Sequence, residues 1–164
     1  MQLGRGVEWA LHCCLVMSWL EPGASATAEQ LANHFGLPKP YLHKQIQALV
    51  RAGIAQSTPG PGGGYALARA AEAISFMDVV AAIEGSDPAF RCTEIRQQGV
   101  SGDLAGEPPP ASLCQIDVVM RRAELTWRRE LAGESIASLA TQVDSALPSL
   151  AERTRRWFSS TAAR

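Results

Sequence analysis

Apolar residues recur at three- and four-residue spacing over much of this chain, a pattern that predicts helices. From about Leu3 to Leu20, the residues Val7, Ala10, Leu11, Cys14, Leu15 and Trp19 make a wide apolar stripe, which Glu21-Pro22-Gly23 ends. Thr27 suits the N-cap of a second helix, and Gln30 completes a capping box. Leu31, flanked by Ala28 and Ala32, anchors that helix, and Gly36 supplies the positive φ of a tight turn. Pro38 opens a third helix, running to about Ala52. Leu42, Ile46, Leu49 and Val50 form its apolar face, while Lys39, Tyr41, His43, Lys44, Gln47 and Arg51 line the other side. Gly53 closes it.

The periodicity then changes. Ile54–Ser57 and Tyr65–Leu67 read as short strands around Thr58-Pro59-Gly60-Pro61-Gly62-Gly63-Gly64, which has turn chemistry and no core potential. Two helices joined by a tight turn and followed by such a hairpin describe a winged helix-turn-helix, a DNA-binding layout. The donor-rich face of the third helix offers side chains that reach phosphates and base edges, with Arg69 at the base of the wing as a further anchor. The wing itself carries no Lys or Arg between Ile54 and Leu67.

Beyond the wing, Ser75 and Asp78 cap a helix that ends at Gly85, with Phe76, Val79, Val80 and Ile83 on its core face. From Ser86 to Ala111 the glycines and Pro108-Pro109-Pro110 predict irregular structure, a length of loop that is usually functional or disordered. Ile116, Met120, Ala123, Trp127 and Leu131 then mark a long helix. Its single apolar stripe has few intrachain partners, so it is expected to pair with its copy across a two-fold axis. Ile136, Leu139, Ala140 and Val143 make another helix, and the last begins at Leu147-Pro148 and frays over Ser159–Arg164. The expected class is mainly α with a small two-stranded β wing. A winged helix-turn-helix domain over 1–69 is followed by a 70–164 part. That part holds a short helix, a loop at 86–112, a dimerisation helix at about 113–132 and C-terminal helices.

Composition narrows the function. The chain has 164 residues, 46% of them hydrophobic, enough for a core. No apolar run reaches the roughly 18 residues of a membrane span, and no secretory leader is evident, so a cytoplasmic protein without a membrane partner is expected. The net charge of −1 does not announce a nucleic-acid binder, but the first 69 residues hold five Lys/Arg against three Asp/Glu. The rest is acidic, which fits DNA contact at one end. Four cysteines in such a compartment suggest buried thiols, metal ligands or reactive groups rather than structural disulfides. Cys13 and Cys14 are adjacent, point in different directions, and suit small buried positions. Glu8 and His12 stand four apart on one helix face, a spacing that can serve one metal centre or simply leave a solvated Glu and a hydrogen-bonded His. No Cys-x-x-Cys is present, which argues against a thiol oxidoreductase; no enzyme activity and no small-molecule substrate are expected.

Several stretches together resemble a known family. Tyr41-Leu42, Ala52-Gly53-Ile54, Gly62 through Arg69, and Ile74 through Val80 with Glu84-Gly85 are similar to the Rrf-type winged helix-turn-helix iron–sulfur transcription regulators. Val7 through Cys14 and Cys92-Thr93-Glu94-Ile95-Arg96 are most similar to the family's redox-sensing members. The resemblance implies a homodimeric regulator, a repressor, that binds double-stranded operator DNA and carries a 2Fe–2S cluster in the 86–112 loop region. That loop usually carries three cysteines, whereas here Cys92 and Cys114 are the two available. The resemblance therefore implies two other ligands, for which Glu8 and His12 of the partner copy are the best candidates. A zinc site with the same four residues, or a cluster-free repressor sensing through the Cys92 thiol, are the alternatives.

Overall fold

The computed structural model describes residues 3–60, 63–105 and 114–162, without the side chains of 103–105 and 162. In chain order it contains α1 (Arg5–Trp19), α2 (Ala28–Phe35), α3 (Lys39–Arg51), β1 (Ala55–Thr58), β2 (Gly64–Leu67) and α4 (Phe76–Glu84). There follow α5 (Gly99–Ala105), α6 (Gln115–Gly133), α7 (Ile136–Ala146) and α8 (Leu150–Ala162). The mainly helical class with a two-stranded antiparallel wing is as expected. Contacts divide the chain into two compact units, one from the 87–130 stretch and one from the stretches on either side of it.

In the winged-helix unit α1 is the axis. It packs against α3, α4, α7, α8 and β2. A helix covered on so many sides buries residues all round, which is why Cys13 and Cys14, pointing different ways, are both fully buried. Burial pushes the Cys14 thiol up to about 12 and the Cys13 thiol further still, with Cys14 adding to the latter, so both remain protonated and inert. Leu31, Leu42, Ile46, Leu49, Ile54 and Ile136 complete the core around α1.

The local signals set the helix ends. Thr27 and Gln30 form the capping box of α2 (3.1 Å and 2.8 Å), and Ser75 and Asp78 form that of α4 (3.1 Å and 2.9 Å). Gly36 (φ 63°) and Gly53 (φ 67°) end α2 and α3 in left-handed geometry. In α3, N–H of Ile54 donates to C=O of Leu49 and N–H of Gly53 to C=O of Val50, the paired bonds of a Schellman closure. Pro38 is the N-cap of α3, and Pro40 occupies its first turn. β1 and β2 pair with Ala55 opposite Leu67 and Ser57 opposite Tyr65. Ala26 extends the sheet on the far side of β2 through two bonds with Tyr65 (2.8 and 2.9 Å). The wing tip includes Pro61 and Gly62, which lie outside the described residues.

α7 and α8 return to the winged unit. N–H of Phe76 donates to C=O of Glu134 and N–H of Ile136 to C=O of Ile74, stitching the start of α7 beside that of α4. Gln30 has a double role: its amide oxygen caps α2, and its amide nitrogen donates to Thr161 Oγ1 at 3.0 Å on α8. His34 packs its ring against Phe35, Trp157 and Phe158 at 4.8–5.2 Å.

Two expectations are corrected. Ser159–Arg164 was expected to fray, but α8 continues through Ala162 because Phe158 is buried and Thr161 is bonded to Gln30; residues 163–164 lie outside the description. The 86–111 stretch was expected to be irregular, yet it contains a 3-10 turn at Ile95–Gln97 and the short α5. The glycines are the reason rather than the obstacle: a Cβ on Gly102 would sit 2.7 Å from the Gln97 carbonyl oxygen, so only glycine lets α5 close against that turn. The remainder of the loop, 106–112 with its three prolines, lies outside the described residues.

Candidate nucleic-acid interface and thiol site

α3 presents a polar face whose members differ in how they are held. Tyr41 is 66% exposed, and Lys44 and Arg51 are exposed as well. Lys39 pairs with Glu29 on α2 at 2.9 Å, both side chains exposed. Arg69 lies 3.3 Å from Asp78, the capping residue of α4. Pairs of this kind are weak in water and readily exchange for a phosphate. Lys44, near the start of α3, is the plainest candidate for a phosphate partner. Lys44→Ala is expected to weaken operator binding and to lower the salt slope by about one phosphate per subunit. A salt titration with unchanged affinity and slope would remove Lys44 from the interface.

His43 and Gln47 are bound to the wing. The Tyr65 hydroxyl lies 3.0 Å from His43 Nε2 and accepts from Gln47 Nε2 at 3.0 Å, and the two α3 side chains are 3.3 Å apart. The recognition helix and β2 are thus joined by one polar cluster, and two of the expected base-reading groups are already oriented by the wing. Tyr65 was not among the expected site residues; its place in a glycine-rich hairpin suggested only a strand. Tyr65→Phe should leave thermal stability nearly unchanged while lowering operator affinity about threefold to tenfold, since one or two exposed hydrogen bonds orient the cluster. Identical affinities in a mobility-shift titration would show that the cluster has no part in recognition.

The second feature lies in the 87–130 unit. Its α6 holds the base of the preceding segment: Glu124 accepts from N–H of Ala89 at 3.2 Å, and Arg128 donates to C=O of Asp87 at 3.1 Å and pairs with Glu124 at 2.7 Å. From that anchored start the chain carries Cys92 back to Cys114. The ligand atoms of Cys92, Glu94 and Cys114 all lie within 4.8 Å of one another. Cys114 is the N-cap of α6, its C=O accepting from N–H of Val118 at 3.0 Å. Backbone N–H of Asp117, then that of Ile116, the Cys92 thiol and the Arg96 charge hold the Cys114 thiol below its ordinary value, against the effect of burial. The Cys92 thiol is shifted upward. A backbone hydrogen bond at Glu94 favours its thiolate, but the Glu94 carboxylate, burial and Cys114 outweigh it. The pair is therefore unequal, with Cys114 the readier thiolate.

Glu94 and Arg96 were missed from the sequence. Glu94 has φ 51°, a left-handed conformation rare for this residue type, which turns its carboxylate back onto Cys92 (3.3 Å). Its other oxygen accepts from Arg96 at 2.7 Å. The Cys-x-Glu spacing was visible, but nothing local announces the positive φ.

Glu8 and His12 belong to the other unit. Both are exposed on α1 and line an apolar cavity of about 450 Å³ with Leu3, Val7, Phe76 and Leu139. The His12 ring lies 5.6 Å from that of Phe35. Two metal-capable side chains are fewer donors than a metal centre needs. The two cysteine sulfurs, side by side and partly poised as thiolates, likewise fit one side of a 2Fe–2S centre. Among the described residues no helix is long and apolar enough to cross a membrane.

Comparison with known proteins gives the family and the fold. A family model described as an iron-dependent transcriptional regulator, Rrf2, matches residues 3–142. YffB of Lactococcus lactis, named as an HTH-type transcriptional regulator, is 33% identical over 143 residues, spanning 87% of this chain and 88% of its own. Among solved structures, IscR of T. potens superposes with a TM-score of 0.67 at 16% identity, covering 90% of this chain and 91% of that one. CymR, the global cysteine regulator of B. subtilis, gives a TM-score of 0.65 at 18% identity, covering 87% and 98%. These two likenesses show the winged-helix fold.

Proposed function

Because the chain belongs to the Rrf2 family of DNA-binding transcription regulators, we propose that it acts in the cytoplasm as a homodimeric repressor whose operator affinity follows the redox state of a 2Fe–2S cluster. The observation that carries the reading is the juxtaposition of Cys92 and Cys114, with Cys114 favoured as thiolate at the start of α6. Cys92 and Cys114 would hold the group from one subunit, and Glu8 and His12 of the partner subunit would complete it. When bound, the group supplies reversible one-electron chemistry. We read the Val7–Cys14 and Cys92–Arg96 stretches as resembling the redox regulator RsrR, and the redox-sensing role rests on that resemblance. Ile116, Val119, Met120 and Leu125 are 41–66% exposed on α6, an apolar surface that a second copy of the helix would cover. A dimer places two α3 helices against two half-sites.

Visible absorption of protein purified without oxygen tests this reading: a 2Fe–2S protein is red-brown, and a colourless protein that neither iron nor sulfide can convert would exclude the cluster. The unequal thiol pair also supports a second reading, in which a cluster-free repressor senses oxidants through Cys92 and Cys114 themselves. That version predicts colourless protein with operator binding that changes on peroxide treatment and recovers with dithiothreitol.

A further inference from the structure

We propose that Cys92, Glu94 and Cys114 form a mononuclear site for a thiophilic divalent cation such as Zn²⁺, complete within one subunit and independent of Glu8 and His12. The three donor atoms lie within 4.8 Å of one another, close enough to surround one ion. They come from a short segment and a helix start that α6 holds together through Glu124 and Arg128, so the arrangement does not wait for a partner. Glu94 is the decisive member. Its left-handed backbone (φ 51°, ψ 46°) aims one carboxylate oxygen at Cys92, while Arg96 holds the other oxygen at 2.7 Å. A ligand carboxylate fixed through its second oxygen is the usual outer support of a metal site.

Charge points the same way. Two thiolates and a carboxylate carry three negative charges, which a divalent ion and the Arg96 guanidinium together neutralise. Asp117, one turn into α6 from Cys114, is only 6% exposed; one of its carboxylate oxygens accepts from Arg121 at 2.6 Å and the other has no hydrogen-bond partner among the described residues. Two sulfur donors exclude magnesium and calcium, and a sulfur–sulfur–oxygen set suits zinc with water in the fourth position. Binding releases to solvent the Cys92 thiol proton, which is donated in a hydrogen bond to the Glu94 carboxylate, together with any proton still on Cys114; no electron is transferred. Zinc and the proposed cluster would use the same two sulfurs, so occupancy by one excludes the other.

The test uses the full-length protein freed of metal and titrated anaerobically with Co²⁺, whose thiolate charge-transfer absorption reports sulfur ligation, followed by displacement with Zn²⁺. The wild type should develop the thiolate bands. Glu94→Gln, similar in shape but uncharged, should bind about tenfold more weakly or worse. The double variant Glu8→Gln/His12→Ala should bind cobalt like the wild type. Circular dichroism checks that each variant is folded. Absent thiolate bands in the wild type, equal affinity in Glu94→Gln, or equal weakening in the double variant would each overturn the site. Reconstitution of the same proteins with iron and sulfide reads the cluster separately: a double variant that loses the chromophore yet binds cobalt normally supports both assignments. A wild type that forms the chromophore but gives no cobalt–thiolate bands refutes this one alone.

Discussion

Replacing Cys92 or Cys114 by alanine is expected to abolish the visible chromophore of the reconstituted protein while leaving its helical content in place. Each thiolate supplies a bond that no neighbouring side chain replaces with another sulfur, because the remaining cysteines, Cys13 and Cys14, are sealed in the core and held protonated. The fold should survive because the core residues around α1 are supplied by other elements. Cys114→Ala also removes the side chain at the N-cap of α6, a change that costs about 1 kcal/mol at typical caps and therefore lowers the melting temperature without unfolding the protein. His12→Ala should be milder, giving an altered spectrum and a labile chromophore, since water can take an open coordination position. Absorption spectra paired with circular dichroism decide the matter. A normal, stable chromophore in either cysteine variant would show that the proposed ligand set is wrong.

Reduction of the anaerobic protein with dithionite is expected to lower operator affinity about ten- to hundredfold, a shift of about 1.4–2.8 kcal/mol. Glu8 and His12 stand on α1, the axis against which the recognition helix α3 packs. Cys92 and Cys114 stand at the anchored segment and the start of α6, the helix proposed to pair across the dimer. A group held by both sets would link the recognition helices to the dimer helix, whose geometry sets the spacing between half-sites. Added negative charge at such a site disfavours the Glu8 carboxylate, so its hold on α1 should loosen on reduction. The measurement is a mobility-shift titration of one sample, reduced and then reoxidised, with the spectrum followed throughout. Equal affinity in both states, with reduction confirmed, would sink the switch; irreversible loss of binding would point to sensing by cluster breakdown instead.

What was legible in the sequence was local. Thr27 with Gln30 and Ser75 with Asp78 announced helix starts, because a cap is satisfied within four residues of itself. Gly36 and Gly53 announced helix ends, because a left-handed residue carries its own conformational signature. The amphipathic face of α3 and the turn chemistry of the wing then sufficed for the winged helix-turn-helix. Cys92 and Cys114 were singled out as cluster ligands by the resemblance to the Rrf-type regulators; composition alone gave four cysteines.

What only the tertiary structure decided was which distant groups meet. Tyr65 looked like a strand residue until the hairpin laid its hydroxyl against His43 and Gln47. Gln30 looked like a cap until α8 came back to accept its second hydrogen bond. Glu94 looked like an ordinary loop carboxylate until its positive φ turned it onto Cys92, and Cys114 became the readier thiolate only through the N–H groups of the helix it starts. Periodicity and capping are satisfied within a few residues of chain, whereas a donor set or a polar cluster exists only where separate segments converge.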